Sequence, residues 1–125
     1  PGAGMSGRVV NLAQKFAQFH EHWHPHLAGE LNGQQVRLVK LKGEFIWHHH
    51  DNEDELFLVV EGELQMRFRD RTELVRPGEF IIVPRGVEHC PYAEHEAHVL
   101  LFEPASTVNT GNVVEARTRD AVPAV

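Results

Sequence analysis

His48 and His50, Glu55 and then His89 are the residues of this chain whose types and spacing could do chemistry, because four such side chains can converge on one divalent ion. Neutral imidazole nitrogens with a single carboxylate oxygen suit borderline ions such as iron, manganese, nickel, copper or zinc, and not calcium or magnesium, which favour oxygen ligands. Four protein ligands on a six-coordinate ion leave about two positions for water, oxygen or a bidentate substrate, and an open position marks a catalytic rather than a structural site. One divalent transition metal is therefore the expected cofactor.

The elements that must position these ligands are strands. Alternation along an extended chain sends His48 and His50 to one face and His49 to the other. A short acidic turn follows, after which Glu55, Phe57 and Val59 share one face of the returning strand, so a hairpin sets the carboxylate beside the two imidazoles. Asp54 is the alternative carboxylate, one residue out of phase. Gly78 to Val83 reads as an apolar strand ended by Pro84-Arg85-Gly86, a turn that aims His89 across from the hairpin.

These residues resemble the motifs of a known family, the cupins. Gly43, His48, His50, Glu55 and Gly62 are similar to the first cupin motif, with one residue fewer between the first glycine and the first histidine. Gly78, Pro84, Gly86 and His89 are similar to the second, with Ala93 where an asparagine usually stands. The likeness covers roughly residues 36 to 103. More narrowly, the chain resembles small single-domain cupins of the mannose-6-phosphate-isomerase-like, cupin-2 type, which carry a Trp-His-x-His run and end near Glu103-Pro104 and Asn109-Thr110-Gly111. The resemblance implies an all-β fold, a cupin-type β-barrel (double-stranded β-helix, or jelly roll), and a homodimer formed by packing barrel faces or exchanging terminal strands.

The rest of the chain agrees with one compact domain. Its 125 residues, 42% of them hydrophobic, can fill a single core. Residues 1 to 4, before Met5, read as a cloning remnant, residues 5 to 35 as an N-terminal helix and loop, 36 to 104 as the barrel, and 105 to 125 as an extended arm that could embrace a second subunit. A formal charge of −6 argues against a nucleic-acid partner. The sequence shows no membrane-length apolar run and no secretory pattern, so no membrane partner is expected. The lone Cys90 fits a reducing cytoplasm and reads as a small buried hydrophobe facing away from the metal.

Asn11 to Gln14 resembles a capped helix start, and Leu12, Phe16 and Phe19, with Val9 ahead of the cap, predict a short amphipathic helix over 11 to 19. Gln35 to Lys42 alternates, with Val36, Leu38 and Lys40 on one face and Val39 and Leu41 on the other. Leu64, Met66 and Phe68 form the buried face of a further strand, Pro77-Gly78 suits a type II turn, and Ala97 to Glu103 supplies the last strand. Gly62 and Gly86 stand where positive φ is expected. His20, His22, His24 and His26 read as a solvated loop anchored by Trp23 rather than as a second metal site, and His95 as surface.

Two kinds of function remain open. One is a metal-dependent enzyme, oxygenase or isomerase in type, acting on a small organic acid, phenol, ketone or sugar derivative, with Phe57, Met66, Phe68 and Ile82 lining an apolar cavity. An isomerase would need a general base, for which Glu53, Tyr92 and His98 are the candidates. The alternative is a non-catalytic module that binds or senses a metal or small ligand. Leu56, Leu58 and Val60, opposite the inward face, leave an outer surface that a second subunit would cover.

Overall fold

The computed structural model describes residues 7–119 and 121–125, so the expected remnant at 1 to 4 and the start at Met5 lie outside the described residues. Among the described residues, seven antiparallel strands follow one short helix: α1 (Leu12–Phe16), β1 (His26–Leu31), β2 (Gln34–Glu44), β3 (Glu55–Glu61), β4 (Leu64–Phe68), β5 (Thr72–Val75), β6 (Phe80–Val83) and β7 (His89–Pro104). The sheet runs β1-β2-β7-β3-β6, while β4 pairs with β5 and with β7. Because β7 is 16 residues long, its first four pair with β4 and its later part lies between β2 and β3. That one strand rolls the sheet into a jelly-roll barrel.

Alternation decides what fills it. On β2, Val39 and Leu41 point into the barrel; on β3 Phe57 and Val59, on β4 Leu64 and Met66, and on β7 Val99 and Leu101 do the same. The opposite phase of β2 carries Leu38, which with Phe16, Phe19 and Ala28 forms a second, smaller cluster beneath the helix. Lys40 is buried on that side too, donating from Nζ to the Phe19 carbonyl at 2.7 Å.

The structure departs from expectation in three elements. The helix spans five residues rather than nine, although Asn11 does cap it by accepting from the Gln14 amide at 2.9 Å. Beyond Ala17 the chain leaves helical geometry so that Phe19 can enter the lower cluster, and Val9 stays exposed. A strand, β1, occupies residues expected as loop. Its signal was Asn32-Gly33, whose φ angles of 52° and 77° make the two-residue type I′ turn joining Leu31 to Gln34. The last strand begins at His89 rather than Ala97, because Tyr92 and Ala93 continue the pairing with Glu44 and Gly43. No helix among the described residues is long and apolar enough to cross a membrane.

Gly62 (φ 81°) turns β3 into β4 where the turn presses on β7: a Cβ there would lie 2.7 Å from the Glu96 carbonyl oxygen and 2.9 Å from the Ala97 Cα. Gly78, the third residue of the type II turn closed by Glu79 N–H donating to the Arg76 carbonyl, has φ 83° but open space around it. Gly62→Ala is expected to cost about 2–4 kcal/mol, from left-handed strain plus overpacking, and Gly78→Ala only about 1–2 kcal/mol. Equal losses in urea unfolding would contradict the close-approach account.

Candidate metal centre

The ligand cluster is built by backbone before it is built by side chains. His48 and His89 form an isolated antiparallel bridge, each amide donating to the other's carbonyl at 3.0 and 2.9 Å. The turn at Pro84 to Gly86 is tied to the same corner, the Gly86 amide donating to the His50 carbonyl at 2.7 Å. Ring centroids of His48 and His89 are 4.3 Å apart, those of His48 and His50 5.1 Å, and those of His50 and His89 5.7 Å. All three histidines are buried, and one ligand atom from each lies within 4.8 Å of the others. From β3, Glu55 Oε1 comes to 3.3 Å from His50 Nε2 and 3.6 Å from His89 Nε2. The structure thus brings together all four predicted residues. Asp54 instead points outward to Arg85, whose guanidinium and amide hold its carboxyl below the ordinary range.

The tautomers are set by the main chain. His48 Nδ1 donates to the Ile46 carbonyl and His89 Nδ1 to the Val87 carbonyl, each at 2.9 Å, which leaves each Nε2 with a lone pair. Burial, with the neighbouring His89, pushes His48 down to about 4, so its ring is neutral at physiological pH. Burial also opposes charge on His50, but the Glu55 carboxylate overrides it and raises that group. Among the described residues, the buried Nε2 atoms of His50 and His89 and the Glu55 Oε1 have no hydrogen-bond partner. Buried polar atoms are rarely left so, and lone pairs converging on one point fit a cation.

Sequence reasoning missed what stands behind Glu55. Arg37 on β2 and Glu103 on β7 are buried inside the barrel, and Arg37 Nη1 donates to Glu103 Oε2 at 2.9 Å. The guanidinium also donates to the carbonyls of Thr107 (2.8 Å) and Ala105 (3.0 Å). Burial and then the adjoining Glu55 charge push the Glu103 carboxyl well above its ordinary range. Burial presses Glu55 in the same direction, but the neighbouring Glu103 carboxyl and the His50 and His89 rings outweigh it and hold Glu55 well below. A signal was present: Arg37 shares the phase of Val39 and Leu41, and Glu103 that of Val99 and Leu101, so alternation alone points both charges inward.

Beside the cluster lies a small apolar recess of about 40 Å³, walled by Trp23, Phe45, Leu41, Phe57 and Leu101, with His48 and Glu55 also in its lining. Phe57 lines it as predicted. Met66 and Phe68 belong to the core, and Ile82 does not face inward at all, being 51% exposed on the outer side of β6. None of the proposed bases lines the recess. Glu53 accepts from Ser106, Tyr92 lies under Arg67, and His98 stacks on Phe16 outside the barrel. The histidine loop divides: Trp23 is anchored by its indole to the Lys42 carbonyl, as expected, yet His26 is buried and opens β1. Cys90 is fully buried, and burial raises its thiol.

The chain after Pro104 runs in turns across the ligand end rather than away as an arm. Asn112 exchanges two hydrogen bonds with the His49 backbone, and Gly111 passes so close that a Cβ would run into the His49 carbonyl. Arg117 lies over the face of Phe45, whose ring also stacks on Trp23. The last residues reach β1, with the Val125 amide donating to the Leu27 carbonyl at 2.9 Å.

Residues 36–103 match the family model described as cupin domain. Over 61 residues the chain is 43% identical to the uncharacterized protein YdbB of Bacillus subtilis (strain 168), a region that is 48% of this chain and 54% of that one, so the match spans about half of this curated relative. Among solved structures, a cupin-2 domain containing protein from Shewanella frigidimarina NCIMB 400 is 44% identical with a TM-score of 0.77, covering 81% of this chain and 99% of that one. Protein NMB1881 from Neisseria meningitidis is 34% identical, covering 78% and 100%, with a TM-score of 0.72.

Removing the Arg37 guanidinium leaves Glu103 Oε2 and the carbonyls of Ala105 and Thr107 buried without this donor. Arg37→Met is expected to lower unfolding free energy by about 3–5 kcal/mol, whereas Arg85→Met, which breaks the exposed pair with Asp54, leaves the urea midpoint near wild type. Similar midpoints for both variants would show that the Arg37 pair is not holding the barrel end together.

Proposed function

This chain belongs to the cupin family, and from that premise we propose that it binds one divalent transition ion through His48, His50, Glu55 and His89 and acts there on a small, largely apolar molecule. The observation that carries the reading is the convergence of the unpartnered His50 Nε2, His89 Nε2 and Glu55 Oε1 beside an apolar recess that His48 and Glu55 themselves line. An ion in this ligand set would supply Lewis-acid polarisation or, if redox-active, oxygen activation.

The chain's own groups set what enters. His48, neutral at physiological pH, and His89 keep Nε2 available through their Nδ1–H bonds to backbone. Trp23, Phe45, Phe57 and Leu101 exclude water and favour a flat or aliphatic ligand body. Asn109, the one amide on the wall, already donates to the Arg117 carbonyl and accepts from the Arg119 amide, so it is spent on the C-terminal turns. The substrate's polar group must therefore face the ligand cluster. Since no residue lining the recess other than the ligands can take a proton, oxygenase-type chemistry on a phenol or keto acid suits the site better than base-dependent isomerisation. The same lack of a base favours, as the second reading, a module that binds such a ligand without turnover.

Metal analysis of protein purified without an affinity metal should give close to one ion per chain. His48→Ala or His89→Ala should remove it from a folded barrel, with Asp54→Ala unchanged. Full occupancy in either histidine variant would refute the ligand set. Protein reloaded with ferrous iron should then consume oxygen when given catechol-like or keto-acid compounds; binding without consumption would favour the second reading.

For the partner we propose a second copy of the chain. Phe80 and Ile82, 60% and 51% exposed, project from β6, which ends the sheet path, and Leu74 lies nearby. Arg71, Glu73 and Glu79 flank this patch, and mixed charges around an apolar centre are self-complementary about a two-fold axis. Light scattering should report a dimer for the wild type and a monomer for Ile82→Glu. An unchanged mass for that variant, or a monomeric wild type, would remove this face as the interface.

A further inference from the structure

We propose that Glu21, His24 and His26 form a second transition-metal site, on the connector between the helix and β1 and separate from the barrel cluster. Each offers one ligand atom, and the three atoms lie within 4.8 Å of one another. The rings of His24 and His26 are 4.9 Å apart, and Glu21 Oε2 stands 3.7 Å from His24 Nδ1.

The frame around them is rigid, which separates this cluster from a chance gathering of surface side chains. Trp23 holds φ 61°, its amide donates to the Lys40 carbonyl at 2.8 Å and its indole to the Lys42 carbonyl at 2.9 Å. On the other side, the Leu27 amide donates to the Pro123 carbonyl at 2.8 Å. His26 is 7% exposed and its ring stacks on Phe19 with centroids 3.9 Å apart. Its Nδ1 donates to the His24 carbonyl at 2.8 Å, so Nε2 carries the lone pair. Main chain and an aromatic face therefore set its orientation, as ligands in metal sites are usually set by groups behind them.

The other two histidines of the run do not take part. His22 is bound by Glu96 at 2.8 Å, and His20 is exposed and outside the group. Two imidazoles and a carboxylate select zinc, nickel, cobalt or copper over magnesium and calcium. With Glu21 exposed, water would fill the remaining positions and the ion would exchange with the medium. Trp23 and Pro25 interleave with these ligands and wall the recess above His48. An ion here would pin that wall.

The test is calorimetric titration of zinc into protein already loaded with one ion at the barrel cluster. Wild type should take up a second, weaker equivalent. His24→Ala and Glu21→Gln should weaken it by at least about tenfold, and His20→Ala and His22→Ala should leave it unchanged. Copper(II) spectra of the second equivalent should show coupling to two imidazole nitrogens, falling to one in His24→Ala. His48→Ala, which silences the barrel cluster, should keep the weak equivalent, so failure of one site is read apart from failure of the other. No second equivalent in wild type, an unaltered one in His24→Ala, or a loss shared equally by His20→Ala and His22→Ala would overturn the proposal.

Discussion

The desolvated cluster of three imidazoles and Glu55 is the constraint on which the rest of the molecule depends. Burying lone pairs and a carboxylate without partners is costly in any interior, and the chain commits several elements to tolerating it. The reciprocal bridge between His48 and His89 fixes these two imidazoles in register. Arg37 and Glu103 stand behind Glu55, and Arg37 draws the carbonyls of Ala105 and Thr107 onto the same point. The ligand end, the buried ion pair and the start of the C-terminal segment therefore form one polar network inside an otherwise apolar barrel. Such a network is stable only when every member is satisfied. The atoms left over, the Nε2 of His50 and His89 with Glu55 Oε1, mark where a cation would complete it, and Glu103 Oε1 is a further orphan among the described residues.

Much of this was legible in the chain, and the reason is period. Glu55 against Asp54 is a choice between strand faces, and a two-residue repeat settles it once neighbouring apolar residues define which face is inside. Leu56 and Phe57, or Leu38 and Val39, were separated by the same logic. His48 and His50 also turn inward, but the expected hairpin strand does not form, since β2 ends at Glu44 and only a single bridge at His48 follows before β3. The glycines at 62 and 86 sit at turns with φ near 80°, as their places between strands required. Where the pattern was weak, the reading failed. In β1 the chain reads His-Leu-Ala-Gly-Glu-Leu, with a register shift at Gly29 that breaks the alternation, so only the Asn32-Gly33 turn advertised the hairpin. On β6, Phe80, Ile81, Ile82 and Val83 are apolar without interruption, and composition could not say that Ile82 faces out while Val83 is buried.

Inward charges were hidden for a different reason. Arg37 and Glu103 are 66 positions apart, and although alternation points each inward, nothing near either residue says that the two meet. Only the pairing of β2 with β7, which sets Arg37 opposite Leu101 and Gln35 opposite Glu103, brings them to the same level of the barrel. Long-range register of that kind is not written in any local window. The C-terminal turns share the difficulty: Asn109, Thr110 and Gly111 have loop composition, and their value lies in what they touch, the Arg117 and Arg119 backbone and the main chain at His49.

The apolar recess follows from the same division of labour. Polar partners around the ligands are spent inward, on backbone carbonyls, on Arg37 and on the C-terminal turns, so the side facing the mouth is left to Trp23, Phe45, Phe57 and Leu101. Trp23 can be a wall only because the connector before β1 is held by Lys40 and Lys42 of β2, and Phe45 only because Arg117 covers its other face. Two segments from opposite ends of the chain thus meet over one cluster, and both are tied to β2.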